Sequence, residues 1–256
     1  MENTEENINL KPEEKLEALH VNNLKLIQKK GLFSFGIDAV LLADFAKLTK
    51  KDVCIDLGCG NGIIPLLLTA QSSCQKITGI EIQSESAELA LRNVKLNSLE
   101  DRIKIINGDI KKISEYFEPN RATAVVSNPP YFNTKDSKEK NQSEKLTASR
   151  HEEECSLEDV IKAASYLLNS SGCFYLIHRP ERLAEIFTLL KACSLEPKEM
   201  RLVQSFKNTE PKLVLIKSVK SAKPGLKIMS GLTVYESAGV YTEELNRIYR
   251  RPNPLI

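Results

Sequence analysis

The chain alternates between short apolar runs and longer amphipathic segments over most of its length. Runs typical of strands, such as VCIDL (53–57) and KITGIEI (76–82), are each followed by a segment with helical spacing. The alternation continues through a predicted helix at 84–97 and predicted strands at 103–109 and 122–127. This pattern predicts right-handed crossovers and a parallel sheet that is covered by helices on both faces.

The second half of the chain continues the pattern and then changes it. It predicts a helix at 156–169, a strand at 173–178 and a helix at 182–192. Two further apolar runs, 200–206 and 212–219, are joined by a short polar stretch and predict an antiparallel pair at one edge. The expected fold is α/β: a Rossmann-like, doubly wound sheet of seven strands with a C-terminal antiparallel strand pair.

Segments outside this alternation define the expected domain organisation. Residues 1–22 are polar, and we expect them to be mobile. The main domain spans 23–256 and opens with a lead-in at 23–48, which becomes helical after Gly36. Residues 133–155 form a charged connection of a length that compact domains reserve for function or leave disordered, and we assign it as a substrate loop.

Composition narrows the class of protein. With 36 basic and 34 acidic side chains the net charge is +2, so a polyanionic partner would be held by a local basic patch. Six cysteines without a C-x-x-C pair indicate reduced thiols in the cytoplasm. Long apolar runs are absent, so we expect a chain that is neither secreted nor inserted in a membrane. Three histidines without ligand-like spacing predict no metal site, and nothing indicates an obligate protein partner.

The stretch VCIDLGCGNG (53–62) is a strand that enters a glycine-rich turn and opens a helix. Gly58, Gly60 and Gly62 allow a tight turn and a close approach by a ligand, and the helix N-terminus offers unpaired N–H groups. Asp56, just before the glycines, supplies a carboxylate suited to an ammonium group. The turn therefore favours an amino-acid-like ligand over the pyrophosphate of a dinucleotide.

Two further acids end the next predicted strands. Glu81 lies about 20 residues beyond the glycine turn, where a carboxylate can bind both hydroxyls of a ribose. Asp109 ends the third strand and is placed to accept from an adenine amino group. A nucleoside joined to an amino acid describes S-adenosylmethionine. The alternatives are that Asp56 caps the turn and that Asp109 serves turn chemistry.

The fourth predicted strand ends in SNPPYF (127–132) at the same sheet edge. Pro129 and Pro130 fix the turn and leave a carbonyl without a competing donor, while Asn128 adds a side-chain carbonyl. Two fixed acceptors suit the N–H bonds of an exocyclic NH₂ group, and Tyr131 and Phe132 offer flat faces for a planar group. We predict Asn128, Pro129, Pro130 and Tyr131 as catalytic residues; the alternative is an ordinary Asn-Pro turn.

These motifs, together with FSFGIDAVLLADF (33–45), ASRHEEECSLEDVI (148–161) and HRPERL (178–183), support a family resemblance. Over residues 16–250 the chain resembles the class I S-adenosylmethionine-dependent N6-adenine methyltransferases that carry an N-P-P-Y motif. It is more closely similar to the bacterial enzymes that methylate N6 of adenine 37 in a valine tRNA. The resemblance implies a cytoplasmic tRNA-modifying enzyme, with S-adenosylmethionine as cofactor and tRNA as partner.

The resemblance also implies roles for individual residues. The cofactor contacts are Asp38, Asp56, Gly58, Cys59, Gly60, Glu81, Ile82, Asp109, Ile110 and Asn128. Asp38, within a lead-in that packs over the cofactor, is equally consistent with a helix N-cap. Substrate contacts are Tyr131, Phe132, Arg150, His151 and Arg179, the last three as phosphate ligands around an extruded base or, alternatively, as solvated surface charges.

Three other functions remain open from the sequence. The same two acceptors could align the amide of a protein glutamine for N5 methylation. A protein that binds S-adenosylmethionine or RNA without catalysis is a second possibility, and a nicotinamide oxidoreductase is a third. The C-terminal Arg247, Arg250 and Arg251 could extend an RNA surface, although cations are also favoured at helix C-termini.

Overall fold

The structure is a computed structural model that describes residues 10–19, 21–32, 36–131 and 155–250. Its centre is one mixed sheet in which β9 and β8 extend a parallel core of five strands. In chain order the sheet strands are β3 (Val53–Leu57), β4 (Lys76–Glu81), β5 (Ile103–Asn107), β6 (Ala122–Ser127), β7 (Leu168–His178), β8 (Leu195–Gln204), β9 (Pro211–Lys220), β10 (Lys227–Ile228) and β11 (Leu232–Thr233).

The spatial order of the long strands is β5-β4-β3-β6-β7-β9-β8. Strands β3 to β7 pair in parallel, whereas β9 is antiparallel to both β7 and β8. The two-residue strands β10 and β11 both pair with β8 in parallel. The predicted doubly wound sheet of seven strands with an antiparallel pair is therefore confirmed, with β10 and β11 as short additions.

Helices cover both faces of this sheet. They are α1 (Ile37–Phe45), α2 (Ile63–Gln71), α3 (Ser84–Leu96), α4 (Leu157–Leu167), α5 (Leu183–Ala192) and α6 (Glu243–Arg250). One core cluster packs α1, α2, α3 and α6 on the sheet, and the other packs α4 and α5 on the opposite face. Every residue of α2 is buried, which explains its uninterrupted apolar sequence. Among the described residues no helix is long and apolar enough to cross a membrane.

An N-terminal hairpin precedes the main sheet. Strands β1 (Glu14–Ala18) and β2 (Lys25–Lys29) pair antiparallel, so the boundary that we expected at residue 22 falls inside this hairpin. The hairpin is fixed to α3 by two guanidinium–carboxylate hydrogen bonds of 2.6 and 2.8 Å between Arg92 and Glu14. Arg92 accordingly lowers the pKa of Glu14. Residues 14–18 of the segment 1–22 therefore form a strand in contact with the main domain, and the mobility expected of that segment stays a prediction.

The C-terminal region adds a second small hairpin and the last helix. Strands β12 (Tyr235–Ser237) and β13 (Val240–Tyr241) pair antiparallel, and α6 follows directly. Leu245 and Ile248 of this helix are buried in the same core cluster as α1. Gln71 donates from Nε2 to the carbonyl oxygen of Ile248 at 3.3 Å. The C-terminal segment is thus part of the domain that contains the main sheet.

Candidate active site

Four predicted site residues lie at the carboxyl ends of adjacent parallel strands. Asp56 is the penultimate residue of β3 and Glu81 is the last residue of β4. Asp109 follows β5, and Asn128 follows β6. Because these strands are neighbours in the order β5-β4-β3-β6, their ends meet at one edge of the sheet. This edge is where open α/β sheets bind their ligands.

The glycine turn between β3 and α2 leaves an open cradle. Gly58, Gly60 and Gly62 have φ values of +76°, +55° and +83°, in the left-handed region that favours glycine. A Cβ atom on Gly58 or Gly60 would meet nothing within 4 Å, whereas one on Gly62 would lie 3.2 Å from Cβ of Ala90. The first two glycines therefore face open space for a ligand, and the third allows close packing of α2 on α3.

Glu81 holds this cradle in place. Its carboxylate accepts hydrogen bonds from the backbone N–H groups of Gly60 and Gln83, both at 2.9 Å. The side chain is buried, with 8% exposure. One carboxylate therefore connects the glycine turn to the end of the neighbouring strand, beside the position predicted for the ribose.

Asp56 is a fully buried carboxyl group whose two oxygens have no hydrogen-bond partner among the described residues. Burial, followed by repulsion from Glu81, raises the pKa of Asp56 well above its usual value. A buried carboxyl without donors is costly, and such a group is expected to have a partner that the protein itself does not supply. The site therefore fits a ligand that carries a cationic donor.

The remaining predicted cofactor contacts differ in orientation. Asp109 caps a 3₁₀-helix, because its side chain accepts a hydrogen bond from the N–H of Lys111 at 2.9 Å. Asp109 therefore has the local role in the turn that was the alternative to a cofactor contact. Ile82 is 40% exposed at the strand end, and Ile110 is buried. Cys59 is buried with its thiol against Gly79, so only its backbone faces the cradle.

Asp38, Asn128 and Tyr131 form one hydrogen-bonded network. Oδ2 of Asp38 accepts from Nδ2 of Asn128 at 3.2 Å and contacts the Tyr131 hydroxyl at 3.1 Å. The same hydroxyl also hydrogen-bonds Oδ1 of Asn128. The N-cap interpretation of Asp38 is wrong, because α1 begins at Ile37 and its N-cap is Gly36. Helix α1 instead brings a carboxylate to the end of β6.

The N-P-P-Y segment combines buried and exposed positions. Pro129 is buried and Pro130 is exposed, while Asn128 and Tyr131 are half-buried. Burial and then the charge of Asp38 raise the pKa of Tyr131 well above its usual value. The phenol is therefore a neutral hydrogen-bond donor at physiological pH, and Asp38 and Asn128 supply the acceptors that it contacts.

Two residues that follow one another at the end of β7 complete the site. His178 is fully buried, its ring centroid lies 5.3 Å from that of Tyr131, and its Nδ1 accepts from the Arg179 N–H at 2.8 Å. Burial, followed by repulsion from Arg182, lowers the pKa of His178 to about 4. The Arg179 guanidinium lies 5.6 Å from the centroid of the Tyr131 ring. Arg179 is thus adjacent to the site, whereas Arg182 is paired with Glu185 at 2.6 Å.

His178 was not among the predicted site residues, although a signal for it exists in the sequence. It is the last residue of a strand that runs parallel to β6, so the rule applied to the first four strands extends to it. Its Nε2 has no hydrogen-bond partner among the described residues. Phe132, Arg150, His151 and most of loop 133–155 lie outside the described residues. Within residues 10–19, 21–32, 36–131 and 155–250 no group of three His, Cys, Asp or Glu side chains could hold a metal.

Comparison with known proteins assigns the family. Residues 23–192 match the family model described as the methyltransferase small domain. The chain belongs to this methyltransferase family. The matched residues include the cradle, the acids at the ends of β3 and β4, and the N-P-P-Y segment.

Curated relatives of this methyltransferase share one name. The tRNA1(Val) (adenine(37)-N6)-methyltransferase of Porphyromonas gingivalis is 30% identical over 221 residues, covering 83% of this chain and 86% of the relative. The protein of the same name from Bacteroides fragilis is 29% identical over 181 residues, covering 71% and 75% of the two chains.

Solved structures agree with the fold of this methyltransferase. A predicted O-methyltransferase from Agrobacterium tumefaciens superimposes with a TM-score of 0.68 at 22% identity, covering 83% of this chain and 96% of the other. At that identity the likeness shows the fold alone. The sequence-based prediction of an S-adenosylmethionine-dependent methyltransferase with a Rossmann-like fold is therefore confirmed, and the roles of single site residues stay predictions.

Proposed function

We propose that this methyltransferase transfers a methyl group from S-adenosylmethionine to N6 of an adenine in tRNA, at adenine 37 of a valine tRNA. The shared name of the relatives supports this substrate. The structural observation that carries the proposal is the network of Asp38, Asn128 and Tyr131 at the end of β6. It presents fixed acceptors beside an aromatic ring, which is the arrangement that a planar base with an exocyclic amine requires.

The residues around the cradle fit the proposed cofactor. Asp56 offers a buried carboxyl group without a partner among the described residues, and Gly58 and Gly60 leave open space above the turn. Glu81 would bind the ribose, while Asp109 with Ile82 and Ile110 would hold the adenine. When bound, S-adenosylmethionine supplies an electrophilic methyl group. Helix α1, with Asp38, would cover this part of the site, as the lead-in was expected to do.

The chain positions the target amine through its acceptors. Nδ2 of Asn128 is committed to Asp38, so its Oδ1 faces the side of Tyr131. Oδ1 and the carbonyl of the proline turn can accept both N–H bonds of the amine and direct its lone pair away from them. Such alignment contributes several kcal/mol through positioning, of a total of about 7–11 kcal/mol available to well-oriented reactants. No strong base is required, because the proton can leave after the nitrogen becomes cationic.

The tRNA would be held by cations near this site. Arg179 lies over the Tyr131 ring, and Arg150 and His151 of the substrate loop are proposed as further phosphate contacts. We place the reaction in the cytoplasm, since the described cysteines are all free thiols, as expected in a reducing compartment.

The test is incubation with methyl-labelled S-adenosylmethionine and an unmodified valine tRNA transcript, followed by nucleoside analysis. We expect label in N6-methyladenosine, and none when adenine 37 of the transcript is replaced by guanine. Asn128→Ala should lower methyl transfer by orders of magnitude with an unchanged melting temperature. Asn169→Ala, at the opposite end of β7, is the matched control and should be fully active.

Parallel incubation with a ribosomal protein extract separates the rival functions. Label in protein glutamine instead of RNA would replace this proposal with N5 methylation of a protein. Binding of S-adenosylmethionine or tRNA with no transfer to either substrate would indicate a protein that binds without catalysis.

A further inference from the structure

Four aromatic rings from three separate segments form a row near the carboxyl edge of the sheet. The ring centroids of Phe206 and Tyr235 are 5.5 Å apart, those of Tyr235 and Tyr241 are 5.2 Å apart, and those of Tyr241 and Tyr249 are 5.7 Å apart. The last two pairs are stacked, with interplanar angles of 22° and 10°. We refer to these four residues as the aromatic row.

One end of the aromatic row lies on the catalytic side of the sheet. Phe206 follows β8 in the turn to β9, and β9 runs antiparallel to β7, with Val214 paired to His178. The turn between β8 and β9 is therefore at the end of the sheet where His178 and Arg179 lie. A hydrogen bond of 3.4 Å from Arg179 to the carbonyl of Lys212 joins the two elements directly.

The other end of the aromatic row approaches the reaction centre. Tyr249 belongs to α6, which shares a core cluster with α1. Burial, the neighbouring Tyr241 and Tyr235, and then the charge of Asp38 raise the pKa of Tyr249 to about 12. Helix α6 packs against α1, the helix that carries Asp38, and Asp38 is bonded to Asn128. The row therefore ends on a helix that borders the one supplying Asp38 to the site.

The aromatic row is accessible and is flanked by cations. Phe206 and Tyr241 are each 38% exposed. Arg179, Lys207 and Lys212 lie at or beside the β8–β9 turn, with Glu210 as the accompanying carboxylate. Exposed rings combined with cations are typical of surfaces that bind single-stranded nucleic acid, because every base has a face for stacking and every phosphate a negative charge.

We propose that Phe206, the exposed end of the aromatic row, stacks an unpaired nucleobase that flanks the target adenine of the RNA. This inference rests on the proposed function, since it assigns the row to the substrate that the site at Asn128 methylates. The occupant is single-stranded RNA, because only unpaired bases expose their faces to aromatic side chains, and duplex RNA presents backbone and groove. The row would select a loop over a stem and would add affinity that is independent of base identity.

Substitutions along the aromatic row test this proposal through binding. Phe206→Leu keeps apolar volume and removes the ring at the exposed end of the row, so the Kd and KM for an anticodon stem-loop RNA should rise about tenfold, with kcat and the Kd of S-adenosylmethionine within twofold of wild type. Phe206→Tyr keeps the ring face and should retain wild-type affinity. Leu91→Ala, at a 53% exposed position on α3, is the control. Equal RNA affinity of Phe206→Leu and Phe206→Tyr would overturn the proposal.

Fluorescence gives a second measurement that does not depend on turnover. The chain contains no tryptophan, so Phe206→Trp introduces a single tryptophan, at the exposed end of the aromatic row, whose emission can be excited selectively. A single-stranded RNA of eight nucleotides should quench its emission, and a duplex RNA of the same sequence should not. Equal quenching by both, or by neither, would contradict stacking.

The two measurements also separate this proposal from the proposed function. If the protein methylates tRNA but shows no quenching and no change in RNA affinity, the stacking proposal alone is overturned. Quenching by single-stranded RNA in a protein that methylates no tRNA would overturn the proposed function and leave base stacking in place.

Discussion

The side chains of Asp38 and Asn128 are hydrogen-bonded at 3.2 Å although 90 residues separate them in the chain. Asp38 lies on a helix that precedes the Rossmann-like core, and Asn128 directly follows the fourth strand of the parallel core in chain order. The bond fixes which end of the Asn128 amide faces Tyr131, because Nδ2 is the only donor that the amide has. The lead-in helix is therefore part of the candidate site at this edge of the sheet.

Asp38→Ala should lower kcat about a hundredfold, because the amide and the phenol lose the acceptor that orients them. Asp38→Asn keeps an acceptor and should lose less. Asp44→Ala serves as the control and should have a near-normal kcat. It removes another carboxylate of the same helix, whose Oδ2 lies 3.5 Å from Nζ of Lys47. Single-turnover methylation of the tRNA transcript measures the effect. A kcat of Asp38→Ala equal to that of the control would contradict the orienting role.

Binding of S-adenosylmethionine should release a proton from the site of Asp56. Its pKa is raised in the folded apo protein by burial and by Glu81, so the carboxyl is more protonated than a free aspartate, whereas a bound ammonium favours the charged form. The cofactor Kd should therefore fall as the pH rises above the usual pKa of an aspartate. Calorimetry in buffers of different ionisation enthalpy counts the protons. Asp56→Asn should abolish the release; a release that persists in this variant would assign it elsewhere.

The same shift has a consequence for stability without the cofactor. A carboxyl whose pKa is raised on folding contributes stability that is present below its unfolded pKa and is lost as the pH rises through the folded pKa. As the pH rises above the usual aspartate pKa of 3.8, the free energy of unfolding of the apo protein should therefore decrease by the contribution of protonated Asp56.

His178 should make the protein sensitive to acid. Its pKa falls from 6.5 to about 4 on folding, so the neutral ring contributes stability above pH 6.5 that is lost as the pH falls toward 4. The shift corresponds to about 3 kcal/mol between these limits. Urea unfolding at pH 7, 5.5 and 4 should show this loss in the wild type. His178→Asn, which keeps an acceptor for the Arg179 N–H, should show a loss smaller by about that amount.

Two glycines of the cradle should respond differently to alanine. Gly62→Ala combines a positive φ with a Cβ contact of 3.2 Å to Ala90, and it should cost about 2–3 kcal/mol of folding free energy. Gly58→Ala has the same strain without the contact and should cost about 1–2 kcal/mol, yet its Cβ projects into the cradle and should weaken cofactor binding more. Gly231→Ala, with a negative φ and a nearest neighbour at 3.7 Å, is the control.

Much of the site was predictable because it depends on strand ends. Asp56, Glu81, Asp109 and Asn128 each lie at or just after the end of an apolar run that predicts a strand, and parallel strands place their ends on one edge. The same rule extends to His178, which ends the fifth strand of the parallel core. The direction of the Cys59 side chain was not predictable, since a cysteine at this position of the turn could point either into the core or toward a ligand.

The remaining features depend on contacts between distant segments. Strand β1 has the sequence EKLEA, which shows no clear alternation, and it is ordered by pairing with β2 and by the bond from Arg92 to Glu14. The aromatic row joins residues 206, 235, 241 and 249 through a turn, a hairpin and a helix, and no spacing along the chain marks it. Propensity is a weak guide where tertiary packing decides.

The hydroxyl of Tyr131 already hydrogen-bonds the Asn128 oxygen to which the target amine is assigned. An amide oxygen accepts up to two hydrogen bonds, so the amine can share this oxygen with the phenol or displace it. If the amine displaces the phenol, the free energy gained at that oxygen is only the difference between an amine and a phenol. Under the proposed function, selectivity for the adenine would then depend on contacts elsewhere on the nucleotide and its neighbours.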